Sequence, residues 1–293
     1  MNTDRKEADA INPSDSPVPN VVYKYLSVEG GLASLRNMTI KFSRLSDFND
    51  PFECRTRGIV QADKEDLITT ALESVQNEDL FKEFCESLPF PKMDELFERR
   101  SSVLSGELNI VKFFSDIFAN AEKRIKWHLP ESISNRMGIA CFSSCFDSIL
   151  MWSHYTKDEK KRDHRGIVIG YKTNRLPKLN PVTYSKERVS IPFGPGHSTK
   201  WVKDLGCTKF EGWAYEREWR SFAWRSLSEM NSEDSLLLKM EPEDIVDIRM
   251  GIHINESLRQ ECLAFTHSHA SCKLYQAYCH PTEFELEFDC VDA

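Results

Sequence analysis

The sequence predicts an α+β fold: a central, mostly antiparallel or mixed sheet, with a helical insertion after the second strand. Three observations predict it. Short β-branched and aromatic runs recur along the 293-residue chain, from Val21-Val22-Tyr23-Lys24-Tyr25-Leu26 to a last run over residues 284–288. Residues 62–135 switch to apolar residues at helical spacing, such as Leu67, Ile68, Ala71, Leu72 and Val75. Gly166-Ile167-Val168-Ile169-Gly170-Tyr171 is continuously apolar, the pattern of a strand buried on both faces.

Taken in order, residues 1–20 hold Pro13, Pro17, Pro19 and mostly polar side chains, which predicts a disordered tail before a single domain over 21–293. The first strand, 21–26, leads through Gly30-Gly31 into a short helix over 32–37 and a second strand over 39–43. Asp47-Phe48-Asn49-Asp50-Pro51-Phe52-Glu53 is turn-forming and acidic, with Pro51 holding Asp50 out of helix. The insertion reads as four or so helices. Strand character returns at Met137–Ser143, a short aromatic helix follows over 149–155, and residues 157–165 form a charged loop. Further strands are expected at 182–184, 215–225, 236–238, 245–250, 273–278 and 284–288, with a Gly194-Pro195-Gly196 loop. Asn255 is suited to cap a helix running to about His267.

Bulk properties narrow the function. The 38 basic and 46 acidic residues give a net charge of −8, which disfavours broad duplex binding through phosphate neutralisation. No run approaches the ~20 apolar residues of a membrane helix, and the first ten residues are mixed in charge, unlike a secretory signal. A cytoplasmic protein without a membrane is the expectation. The nine cysteines lack a disulfide-framework spacing and read mostly as reduced, semi-buried side chains.

Three constellations could carry chemistry. In Glu216-Arg217-Glu218-Trp219-Arg220, a strand period of two places Glu216, Glu218 and Arg220 on one face. That face is either a solvated strand edge or the lining of a cleft suited to acid/base work or to gripping a hydroxyl. Asn49, Asp50 and Glu53 could hydrogen-bond a ligand or hold a hard cation, or form a turn closed by its own Asx bonds. In the third, Ser143 ends a strand, and Met151-Trp152-Ser153-His154-Tyr155 sets Trp152 and Tyr155 on one helical face. His154 is a candidate acid/base or phosphate contact, against the plainer reading of a core helix with a surface histidine. Cys141 and Cys145 with His154 or His164 match no common zinc spacing, so no metal is assigned. P-loop, dinucleotide-fold and Gly-x-Ser-x-Gly patterns do not occur.

The order of these pieces resembles a bacterial family catalogued as domain of unknown function 2971. The resemblance rests on Tyr23-Lys24-Tyr25, Phe42-Ser43, Asn49–Glu53, Cys141–Ser143 and Met151–Tyr155. It continues with His164-Arg165-Gly166, Lys209, Trp213, Glu216–Arg220 and Gly251, so it spans about residues 21–280. It raises the functional reading of all three constellations without supplying a reaction. A more distant likeness is to ADP-ribosyltransferases, which use a polar or basic first-strand residue, a serine at a strand start and a Glu-x-Glu or single-Glu strand. Lys24 or Tyr25, Ser143 and Glu216/Glu218 occur here in that order. Lys24 stands where those enzymes carry Arg or His, and the serine motif reads Cys-Phe-Ser-Ser.

That likeness implies an NAD-using transferase of the toxin or phage-defence kind, with a nucleotide-type small molecule bound and a protein or nucleic-acid target. Glu218 would be the catalytic carboxylate and Glu216 its assistant. Trp152 and Tyr155 would stack on nicotinamide or adenine, and Arg220 or Lys24 would meet phosphate. Two other readings stand beside it. One is a hydrolase holding Mg²⁺ or Mn²⁺ on Asp50, Glu53, Glu216 and Glu218. The other is a ligand-binding module without chemistry.

Overall fold

The computed structural model describes residues 17–44, 47–53, 60–61, 73–87, 93–117, 119, 137–189, 191–192, 200–224 and 236–291. Residues 1–16 of the expected tail, residues 62–72 and 120–136, and the Gly194-Pro195-Gly196 loop lie outside them. The chain divides into two compact units, one of residues 1–47, 136–184 and 209–293, the other of residues 48–135 and 185–208.

The first unit is the α+β body. Its strands are β1 (Val21–Leu26), β2 (Thr39–Arg44), β4 (Met137–Ser143), β5 (Ile167–Lys172), β6 (Leu179–Pro181), β10 (Glu218–Trp224), β11 (Leu236–Lys239), β12 (Ile245–Met250), β13 (Lys273–Cys279) and β14 (Leu286–Cys290). They form one ten-stranded sheet ordered β11-β2-β4-β1-β5-β12-β13-β14, with β10 on β4 and β6 on β10. Only β12 and β13 run parallel; the other registered pairs of this sheet are antiparallel. A mixed, mostly antiparallel sheet is what the sequence predicts.

The sheet forks at β4. One edge of β4 pairs with β10 along its whole length, Glu218 opposite Ser143 through Trp224 opposite Met137. The other edge is shared: β1 takes the end, Tyr23 opposite Ser143, and β2 takes the start, Ser43 opposite Ile139. Cys141 lies between these two pairings along β4.

Helices α1 (Val28–Asn37) and α6 (Glu256–Ser268) cover one face. Val28 and Leu35 from α1, and Leu258, Cys262 and Phe265 from α6, join Val22, Phe142, Ile169 and Ile248 in the core. Helix α1 starts earlier than the Gly30-Gly31 pair suggests. Ser27 caps it by accepting from Gly30 N at 3.1 Å, and Glu29 sits favourably in the first turn. Gly31 is there for packing: a Cβ would stand 3.1 Å from Ile167 and Leu258 side chains. Asn255 caps α6 as expected, accepting from Ser257 N and Leu258 N.

The expected strand over 182–184 is β7 (Thr183–Ser185), which pairs with β9 (Thr208–Phe210), and β6 is a further strand just before it. The largest departure lies at 215–217. A 3-10 segment, Glu211–Glu216, replaces the start of the charged strand, and Arg217 turns the chain at φ 46° before β10 begins at Glu218.

The second unit carries the helical block. Its elements include α2 (Glu78–Ser87), α3 (Met93–Leu104), a helical stretch over 110–117 and α5 (Lys200–Cys207), with β3 (Val60–Gln61) parallel to β8 (Ile191–Pro192). Phe81 packs edge-on against Phe97 at 5.3 Å and stacks on Phe113 at 6.2 Å. Arg100 is buried there, donating to Val75 O at 3.0 Å.

Candidate functional site

The charged constellation is a buried ion-pair network in the first unit. Lys209 Nζ, from β9, lies 2.5 Å from Glu216 Oε2 and 3.1 Å from Glu218 Oε2. Arg220 closes the other side of Glu218, Nε to Oε1 at 2.8 Å and a second guanidinium nitrogen to Oε2 at 2.9 Å. Tyr155 donates its hydroxyl to Glu216 Oε1 at 2.6 Å. Tyr184, from β7, accepts from Glu218 N at 2.8 Å. Glu216, Glu218 and Lys209 are at most 5 % exposed and Arg220 is fully buried, so two carboxylates and two cations balance away from water.

The period of two correctly joins Glu218 to Arg220 along β10. Glu216 is not on that strand. It ends the 3-10 segment, and the left-handed Arg217 swings it back so that both carboxylates meet one ammonium. The solvated-edge reading is thereby overturned by burial.

The two carboxylates are tuned apart. Burial pushes Glu216 above the usual carboxylate range; Lys209 opposes this and Glu218 adds to it. Burial also acts to raise Glu218, but Arg220 and then Lys209 overcome it and hold that carboxylate far below the range. Tyr155 is pushed up by burial and by the facing Glu216, and stays a neutral hydroxyl.

Helix α4 (Ile149–Tyr155), capped by Ser148, delivers Tyr155 to the network. On its exposed side His154 contacts Trp213 at 6.1 Å and stacks on Tyr215 at 6.3 Å, with Trp213 and Tyr215 6.0 Å apart. Trp213 in turn covers Lys209, whose Nζ is 5.1 Å from its ring centre. An aromatic surface therefore lies directly above the buried charges.

Not every expected site residue joins this arrangement. Ser143 lies beside it as a backbone clamp: its hydroxyl donates to Glu216 O at 2.6 Å and accepts from Cys145 N at 3.0 Å. Lys24 bonds Cys141 O rather than a carboxylate, and Tyr25 donates to Cys145 O at 3.2 Å. Trp152, expected to stack on a ligand, is fully buried. Its indole N–H donates to Phe146 O at 2.8 Å and its ring already stacks on His164, 6.1 Å away and 8° from parallel. Asn49, Asp50 and Glu53 belong to the second unit, where Asp50 Oδ1 accepts from Phe52 N at 2.8 Å, the self-closed turn that was one of their two readings.

Three residues that act in the network or its cover were not expected as site residues. Lys209 and Trp213 were visible only as motif positions, and Tyr184 carried no sequence signal, because its role depends on β7 lying beside Glu218. Gly166 and Gly251 explain two further motif positions. A Cβ on Gly166 would meet Leu26 O at 1.9 Å, and one on Gly251 would meet His164 O at 2.3 Å. These glycines let three backbone segments touch.

No family model, curated protein or solved structure matches the chain. The resemblance to the unknown-function family thus rests on motif order. Among the described residues, no helix is long and apolar enough to cross a membrane.

Proposed function

We propose that the chain binds a nucleotide-type small molecule, with NAD the first candidate, on the His154–Trp213–Tyr215 surface. We further propose that the carboxylate pair beneath serves chemistry of the ADP-ribosyltransferase type. The observation that carries this is the single ammonium of Lys209 shared by two carboxylates whose protonation is pushed in opposite directions. Such divergence is how one site obtains a permanent anion and a proton-exchanging group. Flat aromatic faces suit a nucleobase or nicotinamide ring.

In this reading the roles differ from those implied by the resemblance. Glu218 is already neutralised by Arg220 and Lys209, so it positions Lys209 rather than reacting. Glu216, with its raised proton affinity, is the acid/base group, and half-buried Tyr155 is the hydroxyl linking it to the helix α4 surface. NAD would supply the activated glycosidic bond, whose cleavage releases nicotinamide with the bonding pair. The acceptor, protein or nucleic acid in a toxin or phage-defence setting, loses a proton that Glu216 can take.

The near-complete burial of both carboxylates favours a second reading, a nucleotide-binding module without turnover. One experiment separates the two: calorimetric titration with NAD alongside nicotinamide release, on the wild type, Trp213→Ala and Glu216→Gln. Binding lost in Trp213→Ala with release lost in Glu216→Gln supports the transferase. Binding without release leaves the module. Neither binding nor release rejects both. The hydrolase reading is not carried forward, because the carboxylate oxygens of Glu216 and Glu218 are turned onto Lys209 and Arg220.

A further inference from the structure

We propose that the outer edge of β14 takes an extended basic segment of another protein as an added strand. This inference does not depend on the nucleotide reading.

Strand β14 ends the ten-stranded sheet. One of its edges pairs with β13, and among the described residues no strand pairs with the other. Two hydrogen bonds fix which backbone groups face outward. Val291 N donates to Leu274 O at 2.8 Å, and His280 N donates to Glu285 O at 3.0 Å. Both pairs continue the register that sets Gln276 opposite Asp289 and Tyr278 opposite Glu287. Hydrogen-bonded pairs alternate with unbonded ones in an antiparallel ladder, so Glu285, Glu287, Asp289 and Val291 turn their backbone groups toward β13. Leu286, Phe288 and Cys290 turn theirs away from it. Such a row of outward N–H and C=O groups is a template for one more strand.

The side chains select which strand fits. Leu286, Phe288 and Cys290 share one face, where Phe288 packs edge-on against Phe146 at 5.3 Å. Glu285, Glu287 and Asp289 share the other face and are exposed. Glu287 keeps 56 % of its side chain exposed even with His280 Nε2 3.7 Å away. Among the described residues, none of the three acids is ion-paired with a lysine or arginine.

A second copy of this chain fits the edge poorly. Antiparallel pairing of β14 with itself keeps each face continuous and so sets acid against acid, which destabilises a strand pair. A strand with Lys or Arg at every second position instead sets opposite charges across the edge. Apolar residues between those cations would continue the face of Leu286 and Phe288. Phe284, two residues before β14, is 99 % exposed and offers such a partner a further apolar contact. The net charge of −8 favours its approach.

The test titrates the full chain against a fluorescein-labelled octapeptide of alternating Lys and Val, followed by anisotropy. The control peptide has the same residues in two blocks. Leu286→Pro removes an outward N–H and leaves the β13 ladder intact, a position where an edge strand tolerates proline. Glu287→Lys combined with Asp289→Lys reverses the charge and keeps the backbone. Saturable binding of the alternating peptide is expected, about tenfold weaker for the block peptide and for both altered chains. Absence of binding overturns the proposal. So does equal affinity for the two peptides, which marks a diffuse charge attraction, or full affinity in a Leu286→Pro chain that melts like the wild type. Where Leu286→Pro does not fold, the charge-reversed chain decides by the same comparison. A wild-type dimer in sedimentation that Leu286→Pro dissolves would make a second copy the occupant and also overturn the proposal.

Discussion

The hydroxyl of Tyr155 meets Glu216 Oε1 at 2.6 Å, joining the last residue of helix α4 to the last residue of the 3-10 segment before β10. Helix α4 thereby presents His154 to the aromatic surface and Tyr155 to the charges below it. Removing this hydroxyl isolates one oxygen of a buried carboxylate. Tyr155→Phe is expected to cost about 1–3 kcal/mol in urea unfolding. It should also push Glu216 further up, because the bond from Tyr155 favours its ionised form. If nicotinamide release occurs, the basic shift of its pH profile in Tyr155→Phe reports that change.

Lys209 is the shared partner of both carboxylates, so its loss should exceed that of any surface charge. Lys209→Met removes the one ammonium that both buried anions share. Breaking a buried pair in this way costs about 3–5 kcal/mol. An exposed pair such as Arg36–Glu261, where Arg36 is 55 % exposed, is the control and should change stability by less than about 1 kcal/mol. Chemical denaturation of both variants compares them.

The architecture was legible because it rests on local periodicity: Val21–Leu26, Met137–Ser143 and Ile167–Lys172 are strands where their β-branched and aromatic runs predict them. The site was half legible. Alternation correctly paired Glu218 with Arg220, yet Glu216 reaches the same ammonium by a left-handed turn at Arg217, which no strand periodicity contains. Lys209 and Tyr184 arrive on strands β9 and β7, so their contribution is tertiary. Trp152 and Ser143 show the converse. Residues that looked like ligand contacts are committed to Phe146, His164 and the Glu216 backbone.

Glu216 and Glu218 should give opposite pH signatures. The folded pKa of Glu218 is depressed, so its stabilisation is present above the unfolded carboxylate value and is lost as pH falls through the folded one. That of Glu216 is raised, so its contribution is full below the unfolded value and is lost as pH rises through the folded one. Glu216→Gln should therefore remove a decline in stability on the alkaline side of the usual carboxylate range. Glu218→Gln should be the more damaging at neutral pH, since it removes the carboxylate that pairs the fully buried Arg220. Urea midpoints measured across pH decide both points.

Gly166 tests the backbone crossing at Leu26. A Cβ at position 166 would lie 1.9 Å from the backbone oxygen of Leu26, a contact no rotamer change relieves. Gly166→Ala should lose the folded state or several kcal/mol of it, on the order of the larger single-site losses. Gly30 offers the matched contrast in helix α1, where the nearest atom to an added Cβ is Ser27 Oγ at 3.4 Å, an ordinary contact. Gly30→Ala should stabilise by roughly 0.5–1 kcal/mol through helix propensity. Thermal melts of the two variants should move in opposite directions.

His164 supplies an acid-side signature separate from the carboxylates. Its ring stacks on Trp152, its Nε2 lies 3.3 Å from Ser153 Oγ, and its buried Nδ1 has no hydrogen-bond partner among the described residues. Burial pushes its pKa below the ordinary histidine value; neighbouring Asp163 opposes this and His253 adds to it. A second proton would place a charge with one unpaired N–H against an indole. The folded state therefore binds that proton less tightly than the unfolded one. Stability should be complete above the unfolded histidine value and fall as pH drops toward the folded one. His164→Asn keeps a residue tolerant of the φ of 57° found there and removes the titration. Between about pH 6.5 and 5, the slope of stability with pH should be shallower in the variant than in the wild type. Equal slopes would show that His164 titrates as it does in the unfolded chain.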